Sequence, residues 1–430
     1  MNSLERRRYA WLLLVPTLVT PQVPAHPASA SKSSVAQETR RWIGTWSTAP
    51  QPHLPAALRT LHNQTIRLIV HTSAGGSKVR IRISNTYGDR PLLIGAAHIA
   101  RRTTTGDIDP SSGRTLTFRG RPSTTIPARS MIVSDPVELD IPALSDLAIS
   151  LFLPESTATK TSHALALQTS YVATDTGDFT DDAKFPAATT ITEWPFLTGV
   201  DVEASPDGIS IVAFGSSTAD GDGSTPDANR RWPDVLAERL QKAAVRNGEV
   251  GVLNQGIIGN RLLNDSPPQT RDRFGAALGQ AGLTRFQRDV LAQPGVRYVI
   301  LGLGINDITF PGTFTPATER VSAQAIITGY RQLIARAHRN GIRVIGTTMS
   351  PFENARSYTP EKDSLRQEVN AWIRNSGAFD AIVDYDAVLR DPSRPKRLLP
   401  AFDSGDHLHV NDAGNVATAN AIPLALFQGR

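Results

Sequence analysis

The sequence predicts a chain of two parts, an all-β sandwich of jelly-roll type followed by a three-layer α/β/α region with a parallel sheet. In the first half, short strand-like segments are separated by Gly, Pro, Asp and Ser. From residue 209 onward, short apolar runs alternate with longer segments of helical periodicity, the pattern of β-α-β units. The length of 430 residues also exceeds what one hydrophobic core usually serves, which favours two domains.

The predicted sandwich covers residues 42–203. Residues 78–84 alternate strictly between polar and apolar side chains, which is the period of a half-buried strand. Further strands are predicted at residues 65–72, 115–118, 132–139 and 147–153, because each segment is short, apolar or β-branched and bounded by turn-forming residues.

The predicted α/β region covers residues 207–430. Its strands are expected at residues 209–214, 250–254, 298–303, 344–347 and 382–385, and its helices at 232–244, 284–291, 322–340, 361–374 and 413–427. Ligands of such sheets bind beyond the carboxyl ends of the strands, so we expect the functional residues there.

Residues 1–30 have the features of a secretory signal peptide. Three arginines, Arg6 to Arg8, precede an apolar run at residues 9–19, and the small residues Ala28, Ser29 and Ala30 follow. A membrane anchor is disfavoured because the run is too short to span a bilayer and Pro16 interrupts it. We therefore expect a secreted protein, extracellular or periplasmic, with a linker at residues 31–41.

Charge and cysteine content exclude several classes of function. The formal net charge is +5, and it falls to +3 without residues 1–30. No run of Lys and Arg is interleaved with aromatic residues, so no nucleic-acid partner is expected. The chain has no cysteine, which excludes disulfides, Cys-bound zinc and a thiol nucleophile.

Four polar segments carry the candidate chemistry. They are residues 214–221 (Phe-Gly-Ser-Ser-Thr-Ala-Asp-Gly), 254–261 (Asn-Gln-Gly-Ile-Ile-Gly-Asn-Arg), 302–307 (Gly-Leu-Gly-Ile-Asn-Asp) and 403–409 (Asp-Ser-Gly-Asp-His-Leu-His). Each alone is typical of a turn or helix cap. Together they supply hydroxyls, backbone N–H groups next to glycines, a side-chain amide, and a carboxylate three residues before an imidazole. A serine hydroxyl is a poor nucleophile until an oriented base takes its proton, so this combination points to nucleophilic catalysis.

These four segments resemble the sequence blocks of the SGNH or GDSL hydrolases, and the resemblance covers residues 209–427. It implies a flavodoxin-like hydrolase fold in which Ser217 is the nucleophile, His409 the general base and Asp406 the residue that orients the base. It further implies an oxyanion hole made by the backbone N–H groups of Ser217 and Gly259 and the side-chain amide of Asn306, with no cofactor.

The first half resembles the β-rich domain that precedes the catalytic domain in a secreted microbial subgroup of this family. Residues 42–46, 71–76 and 84–88 carry that resemblance. It implies an ester substrate, with short acyl groups on a polysaccharide as the favoured class and no stable membrane anchor. The alternatives are a lipid or aryl-ester hydrolase and, in another class, a non-catalytic carbohydrate-binding protein with a decayed site.

Two positions depart from the family pattern. The usual Gly-Asp-Ser is Gly215-Ser216-Ser217, and Val410 replaces the proline that often follows the catalytic histidine. Two adjacent serines are therefore candidates for the nucleophile, and the register with Asp220 and Gly221 favours Ser217.

Other possible sites are disfavoured. Residues 220–224 begin like a calcium-binding loop, but Arg231 occupies the twelfth position, where a bidentate carboxylate is needed. His407 and His409 are spaced like metal ligands, yet no further ligands are evident nearby. His62, His71 and His338 are interpreted as sheet or helix-surface residues, and no metal is predicted.

Overall fold

Two large antiparallel sheets and three two-stranded ones form the N-terminal region in the computed structural model, which describes residues 40–53, 58–267 and 274–428. The predicted signal peptide and residues 31–39 of the predicted linker lie outside the described residues. One large sheet contains, in spatial order, the strands at residues 41–47, 197–204, 76–84 and 131–133, with 137–141 also paired to 76–84. The other contains the strands at 188–191, 170–173, 64–71, 146–153, 96–101 and 114–115.

The strands of this region are β1 Arg41–Ser47, β2 Gln51–Pro52, β3 Thr60–Leu61, β4 Gln64–His71, β5 Gly76–Ser84, β6 Leu92–Ile94, β7 Ala96–Arg101, β8 Arg114–Thr115, β9 Thr124–Ile126, β10 Met131–Val133, β11 Val137–Ile141, β12 Asp146–Leu153, β13 Thr157–Ala158, β14 Thr161–Ser162, β15 Ser170–Ala173, β16 Ala188–Ile191 and β17 Leu197–Ala204.

The inner faces of the two large sheets share one hydrophobic core. β5 contributes Val79, Ile81 and Ile83, and β12 contributes Ile149 and Leu151, all fully buried. The period-2 pattern of residues 78–84 therefore does mark a strand with one face in the core. The prediction of one strand at residues 132–139 is wrong: β10 and β11 are separate strands, and Pro136, which lacks an N–H for a ladder, lies between them. At residues 115–118, only Thr115 is in a strand.

The second region is built on five parallel strands in the order β19-β18-β20-β21-β22, which is the 2-1-3-4-5 order of flavodoxin-like sheets. These strands are β18 Ile209–Gly215, β19 Val250–Asn254, β20 Val296–Gly302, β21 Arg343–Thr347 and β22 Ala381–Val383, and a hairpin of β23 Arg390–Asp391 and β24 Arg394–Leu398 follows. The helices are α1 Ser217–Asp220, α2 Trp232–Lys242, α3 Gly282–Phe286, α4 Ile305–Thr309, α5 Ala323–Arg339, α6 Pro360–Asn375, α7 Tyr385–Leu389 and α8 Asp412–Asn420.

Helices cover both faces of the parallel sheet, so the region has three layers. Leu236 of α2 and Ala419 of α8 belong to the core on one face. Phe286 of α3, Leu333 of α5 and Val369 of α6 belong to the core on the other face. The predicted α/β fold class is confirmed.

Three predicted elements end earlier or divide. The helix expected at residues 413–427 stops at Asn420, and Leu424–Phe427 form a separate 3-10 turn after Pro423, which cannot continue a helix. The helix expected at 284–291 continues from α3 into a π-helical turn, Gln287–Leu291. The last strand ends at Val383 because Asp384 caps α7 by accepting a hydrogen bond from the Ala387 N–H.

The two regions are in direct contact, and the described residues all belong to one compact unit. β1 lies beside β19, the edge strand of the parallel sheet, and a Cβ on Gly251 would come within 1.8 Å of the Gly44 carbonyl oxygen. The Val252 N–H of this edge strand donates to Ser73 Oγ at 2.9 Å. The sandwich thus covers an edge that would otherwise expose unpaired backbone groups. Within the described parts of the chain, no helix combines the length and apolar character needed to cross a bilayer.

Candidate active site

Ser217 lies just beyond the carboxyl end of β18, the first strand of the parallel sheet along the chain. β18 ends at Gly215, and Ser217 is the first residue of the short helix α1. A Cβ on Gly215 would come within 2.7 Å of the Ala219 Cβ, so this tight turn needs glycine. Ser217 is only 5% exposed, which limits the directions from which a reactant reaches its hydroxyl.

Ser217, His409 and Asp406 form one continuous chain of contacts. His409 Nε2 lies 2.9 Å from Ser217 Oγ, and His409 Nδ1 lies 2.5 Å from Asp406 Oδ2. The other oxygen of Asp406 accepts hydrogen bonds from the backbone N–H groups of Leu408 and His409, at 2.9 and 2.8 Å. The carboxylate therefore orients both the imidazole and the loop that carries it.

Only one of the two adjacent serines contacts the base. Ser216 Oγ is buried and has no hydrogen-bond partner among the described residues. The geometry therefore places Ser217, and not Ser216, in position to lose a proton to His409. The missing family aspartate at position 216 does not interrupt this chain of contacts.

The charges around His409 favour its protonated form. Burial alone would lower the pKa of His409, but the hydrogen bond to Asp406 and the negative charges of Asp222 and Asp406 raise it above its ordinary value. Burial opposes the charge on Asp406 in turn, yet the His409 contact and the two backbone N–H groups hold the pKa of Asp406 well below its usual range. The site is thus arranged to stabilise an imidazolium.

A second carboxylate, which the sequence analysis did not assign to the site, also faces the base. Asp222 Oδ2 lies 3.5 Å from His409 Nδ1. Burial and the neighbouring charges of Asp220 and Asp406 raise the pKa of Asp222, while His409 lowers it. A Cβ on Gly223 would come within 2.7 Å of the Val410 carbonyl oxygen, so the loop after α1 packs directly on the histidine loop.

The segment at residues 220–224, which begins like a calcium-binding loop, contacts histidines in this structure. Its first carboxylate, Asp220, contacts His163, and its second, Asp222, faces His409. Among the residues that the structure describes, no group of three or more His, Asp and Glu side chains is arranged to hold a metal ion. His407 contacts Asp403 at 2.6 Å and not the serine, and His338 contacts Asp380 on the surface.

The three residues predicted to donate to the oxyanion lie just beyond the ends of neighbouring strands of the parallel sheet. Gly259 has a φ of +68° in the turn after β19, and Asn306 is a buried residue of α4, after β20. Asn306 Nδ2 donates one hydrogen bond to the Asn260 carbonyl oxygen at 3.0 Å, which fixes the amide beside the Gly259 turn. Within the described residues, the backbone N–H groups of Ser217 and Gly259 donate to no other group. Both backbone N–H groups are therefore left without an acceptor in this part of the structure.

Arg285 supports this arrangement and was missed by the sequence analysis. Its fully buried guanidinium donates to the carbonyl oxygens of Gly215 and Gln255, each at 2.8 Å, and to Asn260 Oδ1 at 2.9 Å. It thereby connects the strand before Ser217 with both ends of the turn at residues 255–260, which carries Gly259 and is called the oxyanion turn. An arginine within a helix carries no local signal of such a role, so the fold alone identifies it.

Asp307 holds the backbone that follows the oxyanion turn. Its two oxygens accept hydrogen bonds from the N–H groups of Leu262 and Leu263, at 2.6 and 2.9 Å. Burial raises the pKa of Asp307 to about 6, although these N–H groups oppose the rise. The two adjacent residues therefore have different tasks. Asn306 lines the cavity beside Ser217, and Asp307 holds the backbone at Leu262 and Leu263.

A small cavity of about 40 Å³ adjoins Ser217 and His409. Apolar side chains form much of its wall, including Trp232, Leu303 and Met349. Such a volume holds only a few water-sized groups. The enclosed space next to Ser217 is therefore small.

Comparison with known proteins places this region in a family. Residues 213–417 match the model of the GDSL-like Lipase/Acylhydrolase family. None of the curated proteins compared with the chain matches it.

Solved structures resemble about half of the chain. The native aryl esterase of M. smegmatis is 18% identical, with a TM-score of 0.38, and the match covers 50% of this chain and 96% of that one. The acetyl xylan esterase AlAXEase is 19% identical, with a TM-score of 0.36 and coverage of 50% and 97%. A carbohydrate acetylesterase from Sinorhizobium meliloti is 16% identical, with a TM-score of 0.36 and coverage of 50% and 95%. By its match over residues 213–417, this chain carries a domain of the GDSL-like lipase/acylhydrolase family.

Proposed function

We propose that the chain is a carboxylic-ester hydrolase that works through an acyl-enzyme formed on Ser217. The observation that carries this proposal is the unbroken set of contacts from Ser217 Oγ to His409 Nε2 and from His409 Nδ1 to Asp406 Oδ2, at 2.9 and 2.5 Å. Nucleophile, base and orienting carboxylate at these separations are what serine-dependent acyl transfer requires.

Each group has a defined task in this mechanism. His409 takes the hydroxyl proton as Ser217 Oγ bonds to the ester carbonyl carbon, and it then gives that proton to the departing alcohol oxygen. The N–H groups of Ser217, Gly259 and Asn306 bind the oxyanion while it is charged. Water, deprotonated by His409, next attacks the acyl-enzyme, the acid leaves, and Ser217 regains its proton.

Short acyl groups such as acetyl, carried by a polysaccharide, are the proposed substrates. The small cavity beside Ser217 supports a short acyl chain. The resemblance of residues 42–46, 71–76 and 84–88 to the β-rich domain of polysaccharide-deacylating relatives supports the alcohol partner. We also propose export, on the signal-peptide pattern of residues 1–30.

The test is pre-steady-state hydrolysis of p-nitrophenyl acetate by the wild type and two alanine variants. Ser217→Ala is expected to lose the burst of p-nitrophenol and nearly all turnover, because no acyl-enzyme forms. Ser216→Ala is the matched control, since it removes a buried hydroxyl one residue away that has no partner within the described residues. It is expected to keep the burst.

The other outcomes separate the alternatives. A burst retained in Ser217→Ala but lost in Ser216→Ala would assign the attack to Ser216. No hydrolysis of any p-nitrophenyl ester or acetylated polysaccharide by the wild type would support a non-catalytic carbohydrate-binding protein. Faster hydrolysis of long-chain than of acetyl esters would support a lipid substrate.

A further inference from the structure

A histidine of the N-terminal region reaches the catalytic half of the molecule. His163 directly follows β14, and its Nε2 lies 2.9 Å from Asp220 Oδ1, at the end of the helix that Ser217 begins. His163 and Asp220 are 2% and 1% exposed, so water does not screen this contact. The other ring nitrogen lies 2.9 Å from the Ala49 carbonyl oxygen, and the ring stacks on Trp194 with its centroid 5.8 Å away.

The same carboxylate holds the oxyanion turn. Asp220 Oδ2 accepts a hydrogen bond of 2.6 Å from the N–H of Ile258, the residue before Gly259. A Cβ on Gly256 would come within 2.2 Å of the Asp220 nitrogen, so the turn packs directly against the end of α1. The direction of the Gly259 N–H therefore depends on where the Asp220 carboxylate is held.

The imidazole of His163 makes a polar contact through each of its two nitrogens. Both nitrogens of His163 face oxygen acceptors, one a carbonyl and the other a carboxylate. Removing the imidazole leaves Asp220 Oδ1 buried without this partner, which is costly enough to make the carboxylate shift.

We propose that His163 is a positioning residue of the active site, which fixes the Gly259 N–H in the oxyanion hole through Asp220 and Ile258. This inference rests on the proposed acyl-enzyme function. It makes the N-terminal region part of the catalytic apparatus, because one of its side chains sets the geometry of a transition-state contact. A displacement of about 1 Å in such a contact can cost on the order of 100-fold in rate.

The test compares His163→Phe, which keeps an aromatic ring against Trp194 but has no ring nitrogen, with His163→Gln, which keeps one N–H donor. With p-nitrophenyl acetate, His163→Phe is expected to lower kcat roughly 10- to 100-fold with little change in KM, since only the charged oxygen of the transition state needs the hole. Affinity for a trifluoromethyl ketone, which forms an oxyanion on Ser217, should fall by a similar factor. His163→Gln should recover part of both losses.

His53→Phe is the matched control. His53 Nε2 lies 2.7 Å from Glu193 Oε2 in the same region, and that carboxylate contacts Arg59 and Ser162, not the oxyanion turn. This variant should lose thermal stability without a change in kcat. An unchanged kcat in folded His163→Phe, or an equal loss of kcat in His53→Phe, would overturn the proposal.

A second variant and a wild-type burst measurement cover the cases in which His163→Phe does not fold or no acyl-enzyme forms. If His163→Phe does not fold, Asp220→Asn replaces it, with the same expected loss of kcat, and an unchanged kcat would again overturn the proposal. The wild-type burst with p-nitrophenyl acetate is measured alongside. Its absence would refute the acyl-enzyme itself, whereas a normal wild-type burst with unaffected variants would refute only the role of His163.

Discussion

Asp222 Oδ2 lies 3.5 Å from His409 Nδ1, the nitrogen that Asp406 contacts at 2.5 Å. The base thus faces two carboxylates, one in the loop after the nucleophile and one in its own loop. The negative charge of Asp222 is one of the causes that raise the pKa of His409.

Asp222→Asn is therefore expected to shift the acid limb of the pH profile to lower pH. His409 acts as a base only when neutral, so activity is lost as the pH falls through its pKa. Removing the Asp222 charge lowers that pKa, and activity should persist at more acidic pH. The measurement is kcat/KM for p-nitrophenyl acetate across pH, with Asp412→Asn as a control because Asp412 binds Thr225, not His409. An acid limb at the wild-type position would show that Asp222 exerts no influence on the base.

Asp406→Asn is expected to lower kcat by up to about 10,000-fold, because an amide neither stabilises the imidazolium nor enforces the tautomer of the base. If Asp222 partly replaces the lost carboxylate, the double variant Asp406→Asn/Asp222→Asn should be slower than the product of the two single effects predicts. A double-mutant cycle on kcat measures this coupling. Strictly multiplicative effects would mean that the two carboxylates act independently.

Asn306→Ala is expected to lower kcat on the order of 100- to 1000-fold with little change in KM, since the amide serves mainly the charged transition state. Steady-state kinetics with p-nitrophenyl acetate measure both constants. Asn340→Ala is the control, because Asn340 is exposed at the end of α5 and its side-chain amide donates to the Arg336 carbonyl oxygen. A raised KM with an unchanged kcat would instead assign Asn306 to ground-state binding.

How far the sequence predicts this site depends on where each residue lies in the chain. Ser217, Gly259 and Asn306 each follow a strand, and strand ends of a parallel sheet meet at one edge, so their proximity follows from the strand pattern. Asp406 and His409 are three residues apart in one loop, which makes their contact local. The same reasoning predicts the α/β layers, although it misses the effect of Pro423 on the last helix.

His163, Asp222 and Arg285 illustrate what the sequence does not reveal. His163 is a single histidine beside a short strand, and its partner Asp220 is 57 residues away in another region of the fold. Asp222 belongs to an Asp-Gly-Asp-Gly segment that also fits a cation loop. Arg285 lies within a helical pattern where an arginine usually faces solvent. Their roles depend on long-range packing, which no local period or spacing encodes.

Arg285→Lys is expected to destabilise the fold by roughly 3 kcal/mol and to lower kcat. A lysine keeps the charge but cannot reach the Gly215 and Gln255 carbonyls and Asn260 together, because it lacks the planar fork of donors. Urea unfolding measures the free energy, and Arg339→Lys on the exposed face of α5 provides the control. Equal stability of the two variants would show that the buried guanidinium is not needed for its geometry.

Gly251→Ala tests whether the sandwich and the parallel sheet are tightly joined through β1 and β19. The added methyl group would come within 1.8 Å of the Gly44 carbonyl oxygen, which is backbone and cannot rotate away, so the strands must separate. We expect a loss of roughly 3 kcal/mol in the free energy of unfolding, at the upper end of overpacking costs.

The control for this variant is Gly377→Ala, where the new methyl group meets open space but φ is +63°. Its cost is confined to the left-handed backbone, about 1 kcal/mol. Urea unfolding of both variants separates collision from backbone strain. If Gly251→Ala is no less stable than Gly377→Ala, β1 moves away from β19 at little cost, and the contact between the two regions is looser than the structure implies. If it is clearly less stable, the close contact between β1 and β19 contributes to the stability of the fold.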